Sequence, residues 1–182
     1  MLGGLLTFLG ICLAAVWLIV AYNQIVSLRQ RVTKDWAEID RLLRQRHDEL
    51  LQLGELCTRH LERERPALDR LAEARSAVFG ARHARDAAAL GRAEGDLRPA
   101  LAALLTLAAR APALAASPQL GPIAQRIAQL GDEIDARRDL YNASAGEYNV
   151  AISQFPGRFV AAIGGFDAYA PLDFGAGAPA AS

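Results

Sequence analysis

The chain has no charged side chain before Arg29, so the whole stretch from Met1 to Leu28 is apolar or uncharged. Its central part, from Leu2 to Ala21, would rise about 30 Å as an α-helix, which matches the hydrocarbon thickness of a bilayer. The basic residues that precede the apolar region of a cleaved signal are missing, and no convincing small-residue cleavage site follows. We therefore predict a retained transmembrane anchor over residues 1–22.

Other features are equally scarce. Only two cysteines occur, Cys12 and Cys57, which fits a reducing compartment and excludes a disulfide framework. The 20 basic side chains are balanced by 20 acidic ones, which argues against nucleic acid as a partner. No Ser-His-Asp order, phosphate-binding glycine loop, Cys-x-x-Cys or His-Glu-x-x-His motif is present. We therefore expect no enzymatic activity, no cofactor and no metal site.

Basic residues cluster directly after the apolar segment, whereas none precedes it. The positive-inside rule then places the body of the protein in the cytoplasm and the short N-terminus outside. The residues that carry this prediction are Arg29, Arg31, Lys34, Arg41, Arg44 and Arg46.

Beyond the anchor, apolar residues recur about every 3.6 positions, as on one face of a helix. No proline precedes Pro66, so the anchor and this first cytoplasmic helix are predicted to form one continuous rod of about 90 Å. The apolar positions are Leu28, Val32, Trp36, Ile39, Leu43, Leu50, Leu53, Cys57 and Leu61.

Three more helices are predicted. Pro66 fits the first turn of the second helix, with a turn over Gly80 to Arg85. The alanine-rich stretch from Ala81 to Ala116 reads as a third helix, which either restarts after Gly95 with Asp96 as its cap or is kinked by Pro99.

The fourth helix starts at Ser117-Pro118 or at Gly121-Pro122 and has the clearest period. It is about as long as the first cytoplasmic helix, which favours an antiparallel pair. Its apolar positions are Ile123, Ile127, Leu130, Ile134, Tyr141, Ala145, Tyr148, Ile152 and Phe155.

The predicted fold is all-α: an N-terminal transmembrane helix that continues into an elongated antiparallel bundle of about four helices. The expected divisions are an anchor over 1–22, the bundle over 23–156, an aromatic and glycine-rich segment over 157–174, and a disordered tail over 175–182.

Two blocks of sequence resemble the bacterial LemA family. The first contains Tyr22-Asn23-Gln24-Ile25-Val26-Ser27-Leu28-Arg29, Trp36, Ile39-Asp40, Leu43 and Arg46-His47-Asp48. The second contains Arg138, Tyr141-Asn142, Tyr148-Asn149, Phe155-Pro156, Ala161 and Gly165-Phe166. The middle of the chain matches only in periodicity, and Leu51-Gln52 stands where the family usually has Pro-Asn.

The resemblance implies an N-terminal span followed by a cytoplasmic helical bundle at the bacterial inner membrane, with no established enzymatic activity. One member is tied to the membrane of a magnetic organelle, and others are associated with membrane proteases. Structural or interaction roles are accordingly expected for the matching positions Trp36, Phe155 and Pro156, together with the polar and tyrosine positions considered next.

Polar residues interrupt the apolar stripes of both long helices. His47 lies in the gap between Leu43 and Leu50, on the face of Asp40, and we interpret it as a hydrogen-bonded interfacial histidine. Arg138 occupies the matching gap of the fourth helix. In an antiparallel pair Arg138 would lie near Asp40, so we predict an ion pair that fixes the register.

Tyr141 and Tyr148 are seven residues apart and share one face of the fourth helix. We expect them to pack in the core with satisfied hydroxyls rather than to form a binding surface. Tyr22 falls where the helix leaves the membrane, the usual depth of an interfacial tyrosine.

The segment after Pro156 is too short to span a bilayer and too apolar to leave in water. Two interpretations stay open: it lies in the membrane interface with Arg158 at the headgroups, or it folds back and caps the bundle. Phe159 and Phe166 are the aromatic residues on which the first interpretation depends.

Two functional classes fit these observations. The first is a membrane-anchored, non-enzymatic scaffold or adaptor, whose partners are the lipid bilayer and further copies of the same chain. The second is an accessory or regulatory subunit of a membrane protease or an envelope-stress system, bound to another membrane protein.

Overall fold

A computed structural model describes residues 2–60 and 64–174 of the chain. The described residues contain helices and loops but no strand, which confirms the all-α prediction. The helices are α1 (Leu2–Thr58), α2 (Arg65–Ala84), α3 (Ala87–Arg110), α4 (Pro112–Ala115), α5 (Leu120–Ser153) and α6 (Gly157–Gly164).

The predicted anchor and first cytoplasmic helix form a single element, because α1 runs without interruption from Leu2 to Thr58. Contacts divide the chain into two compact units. Within the described residues, the first unit comprises 2–36 and 140–171, and the second comprises 37–60, 64–139 and 172–174.

In the first unit the stretch of α1 from Ala21 to Trp36 packs against the end of α5. Arg31 lies 3.5 Å from Glu147, and Ser144 donates a hydrogen bond of 2.5 Å to Asp35. Residue numbers rise along α1 as they fall along α5, so this pair is antiparallel. Its buried residues are Ala21, Ile25, Leu28, Val32, Tyr141, Ala145 and Tyr148.

The second unit is an antiparallel bundle built from α2, α3 and parts of α1 and α5. The turn between α2 and α3 is only two residues long, Arg85 and Asp86, which makes those helices antiparallel neighbours. The core follows the predicted apolar stripes and includes Ile39, Leu43, Leu53, Cys57, Leu71, Val78, Leu90, Leu97, Leu104, Leu130 and Ile134.

The predicted turn over Gly80 to Arg85 is wrong, because α2 continues to Ala84. Arg85 ends the helix in the left-handed conformation, with φ of 53°, and its N–H donates to the Arg82 carbonyl at 3.1 Å. Asp86 then caps α3 by accepting a hydrogen bond of 2.9 Å from the Ala89 N–H. Neighbouring residues thus stop one helix and start the next.

Of the two alternatives for the third helix, the restart at Asp96 is wrong. Gly95 and Pro99 both lie inside α3, which continues past them to Arg110. The short helix α4 was not predicted, and α5 begins at Leu120, so Pro122 rather than Pro118 occupies its first turn. The predicted tail over 175–182 lies outside the described residues.

Candidate functional site

The N-terminal part of α1 exposes large apolar side chains on several faces. A helix of this kind in a soluble protein would bury most of them. By length and composition α1 is able to cross a membrane. Its exposed large side chains are Phe8, Leu9, Ile11, Leu13, Val16, Trp17, Ile19 and Val20.

A second apolar surface adjoins this one in the first unit. Phe155 is 79% exposed, and Phe159 and Ile163 on α6 are 55% and 74% exposed. The ring of Phe155 lies 5.1 Å from that of Trp17, measured between centroids. A groove of about 280 Å³ separates α6 from α1, and apolar side chains dominate its lining: Leu18, Ile19, Tyr22, Phe159, Val160 and Ile163, with Gly164 at one end.

The opposite side of α6 packs closely on the helix pair. Val160 is buried, and a Cβ added at Gly157 would come within 1.9 Å of the Ala151 carbonyl oxygen. Only glycine therefore allows the start of α6 to approach the end of α5 this closely. The close packing fixes which face of α6 is exposed.

The chain after α6 forms a strap, defined here as residues 165–171, that packs back on the first unit. Gly165 begins it with φ of 63°, a conformation that suits glycine. The Phe166 ring lies 5.9 Å from the Tyr22 ring, and the Arg29 guanidinium lies 5.7 Å from the centre of the Phe166 ring.

Side chains of α5 hold the strap by its backbone. The amide of Asn149 donates to the Tyr169 carbonyl at 2.8 Å and accepts from the Tyr169 N–H at 2.9 Å. The Tyr141 hydroxyl donates to the Ala170 carbonyl at 3.1 Å. The Tyr148 ring packs 5.1 Å from the Tyr169 ring. Residues of both Tyr-Asn pairs, Tyr141 and Tyr148-Asn149, therefore contact the strap.

Burial shifts the acidity of both core tyrosines. It raises the pKa of Tyr141 and of Tyr148, and the nearby phenol of Tyr169 acts in the same direction. Both hydroxyls are therefore protonated over the physiological range, and that of Tyr141 donates to the strap.

The aromatic segment thus contains a part that packs back on the helices and a part that stays exposed. Phe166 and the rest of the strap fold back on the helices, as the capping interpretation expects. Phe159 on α6 instead points an exposed ring outward, and Arg158 is exposed beside it. The segment divides at Gly165.

The second unit contains a buried ion pair that the sequence interpretation missed. Glu94 on α3 is 0% exposed, Arg46 on α1 is 6% exposed, and Nη2 of Arg46 donates to Oε1 of Glu94. The other carboxylate oxygen, Oε2, is buried and has no hydrogen-bond partner among the described residues. The spacing of Leu90, Glu94 and Leu97 places Glu94 on the apolar stripe of α3, and this signal could have identified it.

The predicted ion pair between Asp40 and Arg138 is wrong. Asp40 is paired with Arg82 from α2 at 3.1 Å and with Arg44 at 3.0 Å. The prediction considered only the first and fourth helices, whereas α2 supplies the arginine that reaches Asp40.

Arg138 binds acidic residues of its own helix. It lies 3.3 Å from Asp135 and 2.8 Å from Asp139, and its guanidinium is 5.4 Å from the centre of the Phe174 ring. Asp135 is also bound by Arg98 of α3 at 2.7 Å. The register between α3 and α5 is therefore fixed by a shared carboxylate.

His47 belongs to an aromatic cluster. Its ring centroid is 4.8 Å from that of Phe79, which in turn lies 5.1 Å from the His83 ring. The Arg82 guanidinium lies 4.7 Å from the centre of the Phe79 ring. Burial lowers the pKa of His47, the positive charges of Arg75 and Arg82 lower it further, and Asp48 opposes them.

Metal-binding and thiol chemistry have little geometric basis in the residues that the structure describes. No group of three or more histidine, cysteine, aspartate or glutamate side chains is placed to hold a metal ion within residues 2–60 and 64–174. Cys57 lies in the core, and burial raises the pKa of its thiol, which disfavours the reactive thiolate.

Comparison with known proteins adds one match. The model of the LemA family matches residues 35–179, which is most of the chain and begins after the apolar part of α1. A comparison with curated proteins found no match.

Proposed function

Because the chain belongs to the LemA family and carries an exposed apolar helix ahead of its bundle, we propose that it is a membrane-anchored, non-enzymatic scaffold. The observation that carries this proposal is the large exposed apolar surface of α1, because contact between such a surface and water is unfavourable. The anchor holds the helical bundle next to the bilayer, where its surfaces bind partners.

The proposed orientation places the bundle in the cytoplasm of a bacterium, at the inner membrane. Arg29 and Arg31 follow the span closely and are exposed, as is Lys34, so these charges lie at the cytoplasmic surface.

Topology is tested by fusing reporters to Ser182. We expect a reporter that is active only in the cytoplasm to be active and one that requires export to be inactive. A matched control adds lysines before the span and replaces Arg29, Arg31 and Lys34 with asparagine, which should weaken or invert the pattern. An active exported reporter on the unaltered chain would overturn the orientation.

A non-enzymatic role is supported by the state of the groups that could act as acids or bases. Asp40, Asp135 and Glu94 are each bound by arginine, and the His47 ring packs at a tilt against the Phe79 ring. These contacts stabilise the bundle, and they occupy the side chains that would otherwise serve as an acid or a base.

Scaffolding requires surfaces that are free to bind. A groove of about 480 Å³ between α2 and α3 is lined largely by small side chains, among them Ala67, Ala74, Ala77 and Ala103. A second groove, of about 530 Å³, lies between α1 and α2 and includes the partly exposed Leu51. Small side chains allow a helix from another copy to approach closely.

Extraction into mild detergent followed by mass determination tests the assembly. We expect an oligomer of this chain alone. A stable complex with one other membrane protein would instead favour the accessory role beside a membrane protease or envelope-stress system. A monodisperse monomer at the concentration found in the cell would overturn self-association.

A further inference from the structure

Helix α6 has one face that packs on the protein and one apolar face that is largely exposed. Val160 is buried, whereas Phe159 and Ile163 are exposed and continue the exposed surface of Phe155. Exposed apolar groups of this size on a soluble surface mark an interaction site. The place where α6 lies along α1 indicates what this site binds.

That position is the last turn of the predicted span. The groove beside α6 is lined by Leu18, Ile19 and Tyr22, and Phe155 contacts Trp17. If the hydrocarbon region ends near Ala21, then at 1.5 Å per residue Trp17 lies about 6 Å inside its boundary. Whatever surrounds the end of the span therefore also surrounds the exposed face of α6.

Charge marks the same boundary. The Phe166 ring lies between Tyr22 and Arg29, which is the first charged residue of the chain. Tyrosine and arginine at this depth are typical of the headgroup region. The only charged residue of α6 is Arg158, an exposed side chain long enough to reach the headgroups while the helix lies deeper.

We propose that α6 and Phe155 form a second membrane contact, inserted in the leaflet where α1 leaves the bilayer. Phospholipid acyl chains of that leaflet cover Phe155, Phe159 and Ile163 and occupy the groove of about 280 Å³ between α1 and α6. The proposal rests on the proposed function, because it requires α1 to span the membrane.

Depth-dependent fluorescence quenching tests the contact with the full chain in vesicles of phosphatidylcholine and phosphatidylglycerol. The chain has two tryptophans, Trp17 and Trp36, and replacing both with phenylalanine gives a background for single reporters. Ile163→Trp places the reporter on α6. Gln129→Trp places a matched exposed reporter on α5, in the second unit. A Trp36→Phe chain keeps Trp17 as the reporter of the span.

Bromine atoms on the acyl chains, near the ester end or near the terminal methyl, quench tryptophan at short range. We expect the Ile163→Trp reporter to be quenched as strongly as Trp17, and more by bromine near the ester end. The Gln129→Trp reporter should not be quenched. Circular dichroism checks that each variant keeps its helix content.

The outcomes separate the two proposals. Quenching of Trp17 without quenching of the Ile163→Trp reporter would overturn the second contact and leave the anchor intact. Failure to quench Trp17 would overturn the anchor and, with it, the second contact. Quenching at Gln129→Trp would show that the bundle itself lies on the bilayer, which would overturn a contact confined to α6.

An independent test uses Phe159→Trp as the reporter and compares three chains: this variant alone and the same variant with one of two added aspartates. Adding Ile163→Asp places a carboxylate on the exposed face of α6 and should abolish quenching. Adding Leu140→Asp, at an apolar position of α5 that is half exposed, should leave it unchanged. Equal quenching in all three chains would overturn insertion of this face.

Discussion

The buried carboxylate of Glu94 offers the sharpest test of how the bundle is stabilised. Replacing it with alanine leaves the guanidinium of Arg46 in the interior without its acceptor. Removing one member of a buried ion pair costs about 3 to 5 kcal/mol, because the remaining charge stays desolvated. For a chain of this size each kcal/mol lowers the melting temperature by about 2 to 4 °C, so Glu94→Ala should lower it by about 6 to 20 °C.

The measurement is thermal unfolding of the full chain in mild detergent, followed by far-ultraviolet circular dichroism. Asp96→Ala is the matched control, because Asp96 is an exposed acid on the same helix and should change stability by less than about 0.5 kcal/mol. A double variant, Arg46→Met with Glu94→Leu, replaces the pair with apolar groups. It should lie close to the unaltered protein or be more stable, by up to about 4 kcal/mol.

Two results would refute this reasoning. If Glu94→Ala has the same melting temperature as the unaltered protein, the substitution does not leave a desolvated charge in solution. If the double variant loses as much stability as the single variants Arg46→Met and Glu94→Leu together, the side chains act independently and the coupling between them is absent.

Three further predictions use the same measurement. Gly91→Ala should destabilise the second unit by about 1 to 3 kcal/mol, because the new Cβ would lie 1.9 Å from the Asp173 carbonyl oxygen. Its control is Gly95→Ala, which has open space around the new Cβ and should stabilise α3 by about 0.5 to 1 kcal/mol. Equal effects would contradict the close approach of the chain at residue 173. Arg85→Gly should stabilise the protein by up to about 1 kcal/mol, because glycine adopts a φ of 53° without steric cost. A loss of stability would show that the Arg85 side chain makes contacts that outweigh this gain. His47 binds its proton less readily in the folded than in the unfolded state, because its pKa is lowered from 6.5 on folding. The free energy of unfolding should therefore be highest above pH 6.5, fall as the pH drops below that value, and level off below the folded pKa. The fall should be smaller in His47→Gln, and an identical pH dependence in that variant would contradict the lowered pKa.

The long helices were predictable because their apolar residues lie on one face over many turns. Ile39, Leu53, Leu130 and Ile134 were all assigned to the stripes and are all buried. The end of α2 was not predictable in the same way. Its stop is Arg85 in a left-handed conformation usually taken by glycine, while the nearby Gly80 lies within the helix.

The polar contacts were harder to predict because they depend on which helices are neighbours. Asp40 was predicted to pair with Arg138, because periodicity cannot show that α2 brings Arg82 to it. Glu94 was overlooked since alanine dominates its surroundings, and alanine packs on either face of a helix. A stripe interrupted by a carboxylate was the available signal.

The aromatic segment after Pro156 shows why composition alone left two interpretations open. Its residues are mostly apolar, so their hydropathy does not distinguish a side that packs from a side that is exposed. Backbone geometry makes the distinction: Gly157 allows α6 to approach α5, which buries Val160, and the left-handed Gly165 turns the chain into the strap. The Asn149 side chain then binds the strap through both of its polar atoms, which ties the exposed face of α6 to a fixed position on α1 and α5. Replacing Asn149 with leucine should therefore release the strap and make the chain after Gly165 more sensitive to proteases, while the helix pair itself stays folded.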